Sequence, residues 1–263
     1  MTLGFSVNEL LPKARGGGQL KMGLAKPSED EWLQPDPDLG ARRDGFKAYP
    51  QGIQITPEAE PPGQELATML GINGGLAEAA AHHHEDMCLL TRSPGEDVYR
   101  LVGAAVAWPS DWKPAKKLGL PLRALHAPIQ GYEEQLATGV DRFMDTLKPG
   151  PIYGRCNWFI APTGAMRWMQ GESAAGDFAR VTPENASETL FVRSERQTLR
   201  RLPETGAILF TIGIYVKPLG KLTSANQAML SAAMETLLTG EGDRRGAPYY
   251  APQLKAYCER IAE

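Results

Sequence analysis

Residues 189–216 read Thr189-Leu-Phe-Val-Arg-Ser-Glu-Arg-Gln-Thr-Leu-Arg-Arg-Leu-Pro-Glu-Thr-Gly-Ala-Ile-Leu-Phe-Thr-Ile-Gly-Ile-Tyr-Val216. The stretch predicts two strands, Thr189–Glu195 and Ala207–Val216, because short apolar or alternating runs bounded by Pro and Gly suit strands better than helices. Outward from it the same pattern recurs. Met87–Thr91 and Val98–Trp108 read as strands joined by the turn Ser93-Pro-Gly-Glu-Asp97, and Tyr153–Ile160 as another. Between them, Leu136, Val140, Phe143, Met144 and Leu147 fall on one face of a helix over Ile129–Leu147, which Lys148-Pro-Gly-Pro stops. Residues 64–81 have helical composition broken by Gly71, Gly74 and Gly75, which predicts two short helices. Two more helices are expected over Ser224–Leu238 and Gln253–Ile261.

Strands in hairpin order around one helical excursion predict a single α+β domain on an antiparallel sheet of about five strands. Residues 1–65 are rich in Pro and Gly, with Gly-Gly-Gly at 16–18, Pro-Asp-Pro-Asp at 35–38 and Pro-Pro-Gly at 61–63. They read as an extended arm wrapping the core, with a short helical piece around Glu29 to Leu33. Residues 66–222 then form the central domain, and 223–263 are C-terminal helices of the same unit. No GxGxxG or GxxxxGK[ST] occurs, which argues against a Rossmann or P-loop fold.

Composition narrows the function. The net charge is −3, which leaves no basic footprint for nucleic acid. The run Gly206–Val216 is too short to span a bilayer, and no secretory pattern opens the chain, so neither a membrane nor an export route is expected. Three separated cysteines with no Cys-x-x-Cys pair indicate neither a disulfide framework nor a thiolate zinc site, and a reducing cytoplasm fits them.

The chain has four histidines. His126 lies between Pro121 and Pro128 on a loop leading into the helix, where its imidazole can ligate iron, act as a base, or simply bond a carbonyl. His82-His83-His84 can be a metal cluster completed by His126 or Asp86, or a capping run at a helix-to-strand junction. Arg193-Ser-Glu-Arg-Gln-Thr-Leu-Arg-Arg-Leu-Pro203 is the densest charged segment. On a strand Arg193 and Glu195 share one face and Arg196 takes the other. Guanidinium groups there suit carboxylates, either of a ligand or within a structural network. Trp108, Trp112, Trp158 and Tyr215 fall near strand ends and can wall a flat cofactor or fill the core.

Several segments, in order, resemble one family: Met22-Gly-Leu, Glu31-Trp-Leu, Glu85-Asp86, Tyr99-Arg-Leu-Val, Trp108-Pro-Ser-Asp-Trp, Leu125-His-Ala-Pro-Ile-Gln-Gly-Tyr, Arg155-Cys-Asn-Trp, the Arg193–Pro203 segment and Phe210-Thr-Ile-Gly-Ile-Tyr. The ordered set is similar to the α subunit of the haem-dependent oxidative N-demethylases. That resemblance implies a PAS-like fold holding haem b, without covalent attachment since Cys-x-x-Cys-His is absent. It implies a monooxygenase-like oxidation of a small secondary amine by O2, releasing formaldehyde, with electrons from flavin and iron–sulfur partner subunits. On this basis His126 is the expected iron ligand, with Cys156 as its rival. Arg193 and Arg200 are expected at the cofactor's acidic edge, Trp108 and Trp158 at its walls, and Glu195, Tyr215 and Arg196 at the substrate. A haem-binding sensor without turnover is the alternative, and a non-haem metalloprotein using the triple histidine a weaker one.

Overall fold

The structure is a computed structural model that describes residues 2–14, 22–93, 95–129, 131–235, 237, 242 and 245–262. Gly16–Gly18 and Gln130 lie outside the described residues, as do Leu238 and part of the segment after Glu235.

The apolar run in the opening stretch becomes the centre of the sheet. Six strands form it: β1 (Ile53–Ile55), β2 (Asp86–Thr91), β3 (Arg100–Ala105), β4 (Tyr153–Ala161), β5 (Phe191–Arg201) and β6 (Ile208–Pro218). Their order is β1-β3-β2-β6-β5-β4, and every pairing is antiparallel. The expected class, α+β on one antiparallel sheet, is the one observed, with six strands where about five were expected. The additional strand, β1, has only three residues inside the Pro- and Gly-rich segment, too short to show a period. Counted from β2, the five longer strands run 2-1-5-4-3 across the sheet, the arrangement of a PAS-like fold.

β6 lies between β2 and β5, so both its faces and both its edges are covered, and a nearly unbroken apolar sequence suits that position. β5 extends to Arg201, six residues beyond the expected end at Glu195. Its charged second half hides the strand from a hydrophobicity reading, yet Arg196, Thr198 and Arg200 are buried. The β5–β6 hairpin closes at Gly206, whose φ of +70° suits glycine and whose N–H donates to Leu202 O. The Glu65 carboxylate accepts from the N–H groups of Glu204 and Thr205 and holds that turn to the helix Glu60–Met69.

Helices and loops cover both faces. The helix Leu39–Ala48 is capped by Asp38, whose side chain accepts from Ala41 N at 2.9 Å. With the helices Glu60–Met69 and Leu76–Ala81 it packs Phe46, Leu66, Leu76 and Trp32 over Met87 and Leu89. The residues expected to form an arm with one helical piece thus also supply a ten-residue helix and a strand. Val7, Leu10 and Leu11 continue this cover over Cys156 and Val192, joined by Leu230 of the helix Ser224–Met234 and Leu254 of the helix Ala247–Ala262. The other face is covered by the β3–β4 crossover. Leu122, Leu125, Val140, Phe143, Met144 and Leu147 pack there on Leu90, Leu199, Ile208 and Phe210. The expected helix Ile129–Leu147 forms over Glu133–Thr146, with Glu133–Ala137 wound as a π turn.

Candidate functional site

Side chains alternate across a strand, so β5 divides its charged residues between two environments. The register extends the division to its neighbours. Ser194 pairs with Trp158 and Tyr215, and Arg196 with Cys156 and Gly213. Glu195 pairs with Asn157 and Ile214, and Gln197 with Arg155 and Ile212. Arg196, Arg200, Tyr215, Trp158 and Cys156 therefore lie under the N-terminal cover, whereas Arg193, Glu195, Gln197, Arg155 and Asn157 lie on the crossover side.

On the N-terminal side the polar groups hold chain segments together. Arg196 donates to Trp32 O at 2.7 Å and to Glu31 O, and stacks over Phe5 at 4.4 Å. Arg200 clamps the Glu29 carboxylate at 2.9 and 2.6 Å and lies over Trp32. Tyr215 OH donates to Gln34 Oε1 at 2.8 Å, and Gln34 N donates to Glu85 Oε1 at 2.8 Å. Glu85 is fully buried, and burial pushes its carboxyl up to about 7 against the opposing pull of its hydrogen bond and of Arg196 and Arg42. Burial raises the Tyr215 phenol as well. Trp108 packs in the same core, beside the Arg42 guanidinium and the His84 ring at 5.0 Å.

On the crossover side His126 is the last residue of the short helix Leu122–His126 rather than part of a loop. Its Nδ1 bonds Leu122 O at 2.8 Å, one helical turn back, and its ring stacks on Tyr132 with centroids 4.4 Å apart and planes within 8°. Donation to the carbonyl places the proton on Nδ1 and leaves Nε2 with its lone pair, and no partner meets Nε2 among the described residues. Burial lowers the imidazole's pKa, with Lys117 and Arg155 adding to the effect, so the ring is neutral at pH 7. Tyr132 immediately precedes the π turn, and burial pushes its phenol up to about 12. Glu195 accepts from Gln197 Nε2 at 3.0 Å.

The residues expected to clamp one cofactor do not meet. Trp158, Arg196, Arg200 and Tyr215 are separated from His126 and Glu195 by the sheet itself, so one flat ligand cannot touch both sets. Arg193 shares the face of Glu195, but it donates to Trp108 O, Ala165 O and Ser110 Oγ at 2.9, 3.2 and 2.8 Å, which holds two loops to the strand. Cys156 is buried opposite His126, and its thiol is pushed up to about 11 by burial, which disfavours a thiolate. In the triple histidine, His82 and His83 bond Glu78 O and Ala79 O through Nδ1, as residues at a helix end do, and His84 Nε2 bonds Ile214 O. Among the described residues no three His, Cys, Asp or Glu side chains are grouped to hold a metal ion.

Sequence reasoning missed Tyr132, Arg155, Asn157 and Gln197 as site residues. A signal existed for the middle two: Arg155 and Asn157 alternate with Cys156 and Trp158, so a strand there necessarily sets two polar groups on one face. Arg155 is half-buried and has no hydrogen-bond or ion-pair acceptor among the described residues.

Fold and site together define an α+β protein with a PAS-like sheet, one face closed by arginine-tied segments and the other presenting a neutral histidine beside polar side chains. Residues 74–243 match the model of the haem-dependent oxidative N-demethylase, alpha subunit-like family, and the chain belongs to that family. The family's name carries haem dependence and oxidative chemistry with it, and the word subunit implies partner chains. Among the described residues no helix is long and apolar enough to cross a membrane.

Proposed function

We propose that this chain binds haem b on the crossover face and oxidatively removes a methyl group from a small secondary amine, using O2 and releasing formaldehyde, in the cytoplasm. Electrons would come from flavin and iron–sulfur partner subunits. The supporting observation is His126: a neutral imidazole whose Nδ1 is occupied by Leu122 O and whose Nε2 lone pair is unclaimed among the described residues. Such a nitrogen would hold a haem iron. No Cys-x-x-Cys-His is present, so attachment would be noncovalent.

When bound, haem supplies the iron that activates oxygen. The chain's own residues would do the rest. The Leu122 carbonyl and the Tyr132 ring fix the direction and plane of the His126 imidazole. The apolar residues of the crossover, Leu125 and Phe143 among them, limit water on this face. Glu195, steadied by Gln197, would hold the ammonium of a protonated amine at its carboxylate and accept the proton lost before oxidation. In this reading Arg196, Arg200 and Tyr215 serve by bracing the N-terminal segment, and Arg193 by fixing the loops at 108–110 and 165.

Absorption spectra of the purified protein titrated with hemin, ferric and dithionite-reduced, test the reading. Stoichiometric uptake with a Soret band is expected. His126→Ala should lose it, and added imidazole should partly restore it. Wild-type protein that takes up no hemin, or a His126→Ala ferric spectrum identical to wild type, overturns the assignment.

A further inference from the structure

The buried guanidinium groups in this sheet each meet an acceptor, although Arg196 Nε and Arg200 Nε stay unpaired among the described residues. Arg193 and Arg201 meet carbonyls, Arg196 meets Glu31 O and Trp32 O, and Arg200 meets Glu29. Arg155, in the middle of β4, has no such acceptor among the described residues, although it is half-buried and partly stripped of water. Its nitrogens are not among the buried unpartnered atoms of the described residues, so solvent reaches the guanidinium and an incoming anion has only water to displace. The nearest opposite charge is Glu195. Arg155 pairs in register with Gln197, so Glu195 is its diagonal neighbour on the same face, a position roughly 7–8 Å away in an antiparallel pair. The two charges interact through space, yet no ion pair joins them among the described residues, where Glu195 accepts from Gln197. The result is a cation and an anion held apart on a half-covered face beside His126.

We propose that Arg155 and Glu195 form a subsite for a zwitterion, an amine that carries its own carboxylate, such as an N-methylated α-amino acid. The guanidinium takes the carboxylate in bidentate fashion and Glu195 takes the ammonium. The gap between the two side chains is filled by the short backbone of the ligand and one hydrogen bond at each end. Plain dialkylamines engage only Glu195 and leave Arg155 unanswered. This rests on the proposed amine oxidation for its chemistry, but not for the binding itself.

Two titrations test it, with N-methylglycine and dimethylamine as probes. In the hemin-loaded protein, followed by the Soret shift, N-methylglycine should bind about 10- to 100-fold more tightly, the worth of one charge-assisted pair of hydrogen bonds. Arg155→Gln should abolish that preference without changing dimethylamine affinity or hemin uptake, and Arg155→Lys should restore part of it. In the hemin-free protein, followed by calorimetry, N-methylglycine should still bind better than dimethylamine. That outcome in a protein that takes up no hemin would sink the haem reading and leave this subsite standing. Equal affinity for the two amines overturns the proposal. So does an Arg155→Gln protein whose only defect is weaker hemin uptake, because the missing carboxylate would then be a haem propionate.

Discussion

The two faces of the sheet both bury arginines, and they use them differently. Under the N-terminal cover, Arg196 and Arg200 are spent on the backbone and carboxylates of residues 29–32, and Arg42 is spent on Asp86, Ala80 O and Glu85 O. On the crossover side, Arg193 is spent in the same way, but Arg155, Nε2 of His126 and the Tyr132 hydroxyl have no partner among the described residues. Function in a charged strand is found by asking which charges the chain itself meets. A guanidinium that clamps a carboxylate or backbone carbonyls, as Arg196 and Arg200 do even with Nε unpaired, is holding the chain together, whereas one that meets no acceptor at all is free to take a group from outside.

Substitutions on the two faces test that contrast. The largest effect belongs to Arg42→Ala. It strands the buried Asp86, whose ion pair with Arg42 is 2.7 Å long, and should cost about 3–5 kcal/mol in urea unfolding. A loss below about 1 kcal/mol would break the assignment of this side to structure.

Glu85→Gln comes next, and its sign depends on pH. The folded carboxyl titrates near 7 and the unfolded one near 4.5, so between those values the native state holds a proton that the unfolded chain has released. Stability therefore falls as pH rises through that window and levels off above it. Gln keeps the acceptor for Gln34 N and removes the charge, so it should stabilise the protein by about 3 kcal/mol at pH 8 and by little at pH 4.5. Melting temperatures that run parallel for the two proteins across this range would refute it.

Tyr132→Phe should be a smaller change of favourable sign. It keeps the stack on His126 and deletes a buried hydroxyl with no partner, a gain of about 1 kcal/mol in thermal unfolding. A loss of similar size would mean that the hydroxyl is satisfied by an ordered water. Arg155→Gln should be nearly silent, within about 0.5 kcal/mol of wild-type stability, because it breaks no contact with the described residues. Set against Arg42→Ala, it is the sharpest form of the comparison: two half-buried or buried arginines, one needed to fold and the other not.

Much of the architecture was legible because its signals are local. The apolar run Ala207–Val216 and the helical spacing of Val140, Phe143, Met144 and Leu147 each act within a few residues, and each formed where the pattern placed it. The second half of β5 was not legible. Gln197-Thr-Leu-Arg-Arg201 has no apolar period, and what makes it a buried strand is the carbonyls and carboxylates that its arginines meet far along the chain. β1 was invisible for a similar reason, since three residues gain their strand geometry only from pairing with Gly103–Ala105.

The residue types available for chemistry, and their alternation, were set before any folding. Period-two geometry already set Arg193 and Glu195 on one face of the strand and Arg196 on the other, as the register has them. What covers each face was set by packing in three dimensions. The acceptors that meet Arg196 and Arg200 come from residues 29–32, more than 160 positions earlier in the chain, and the histidine within electrostatic range of Arg155 comes from a crossover helix. Alternation is fixed by bond geometry within one strand, whereas a partner across the core depends on how distant segments pack, and no local pattern of residues encodes that.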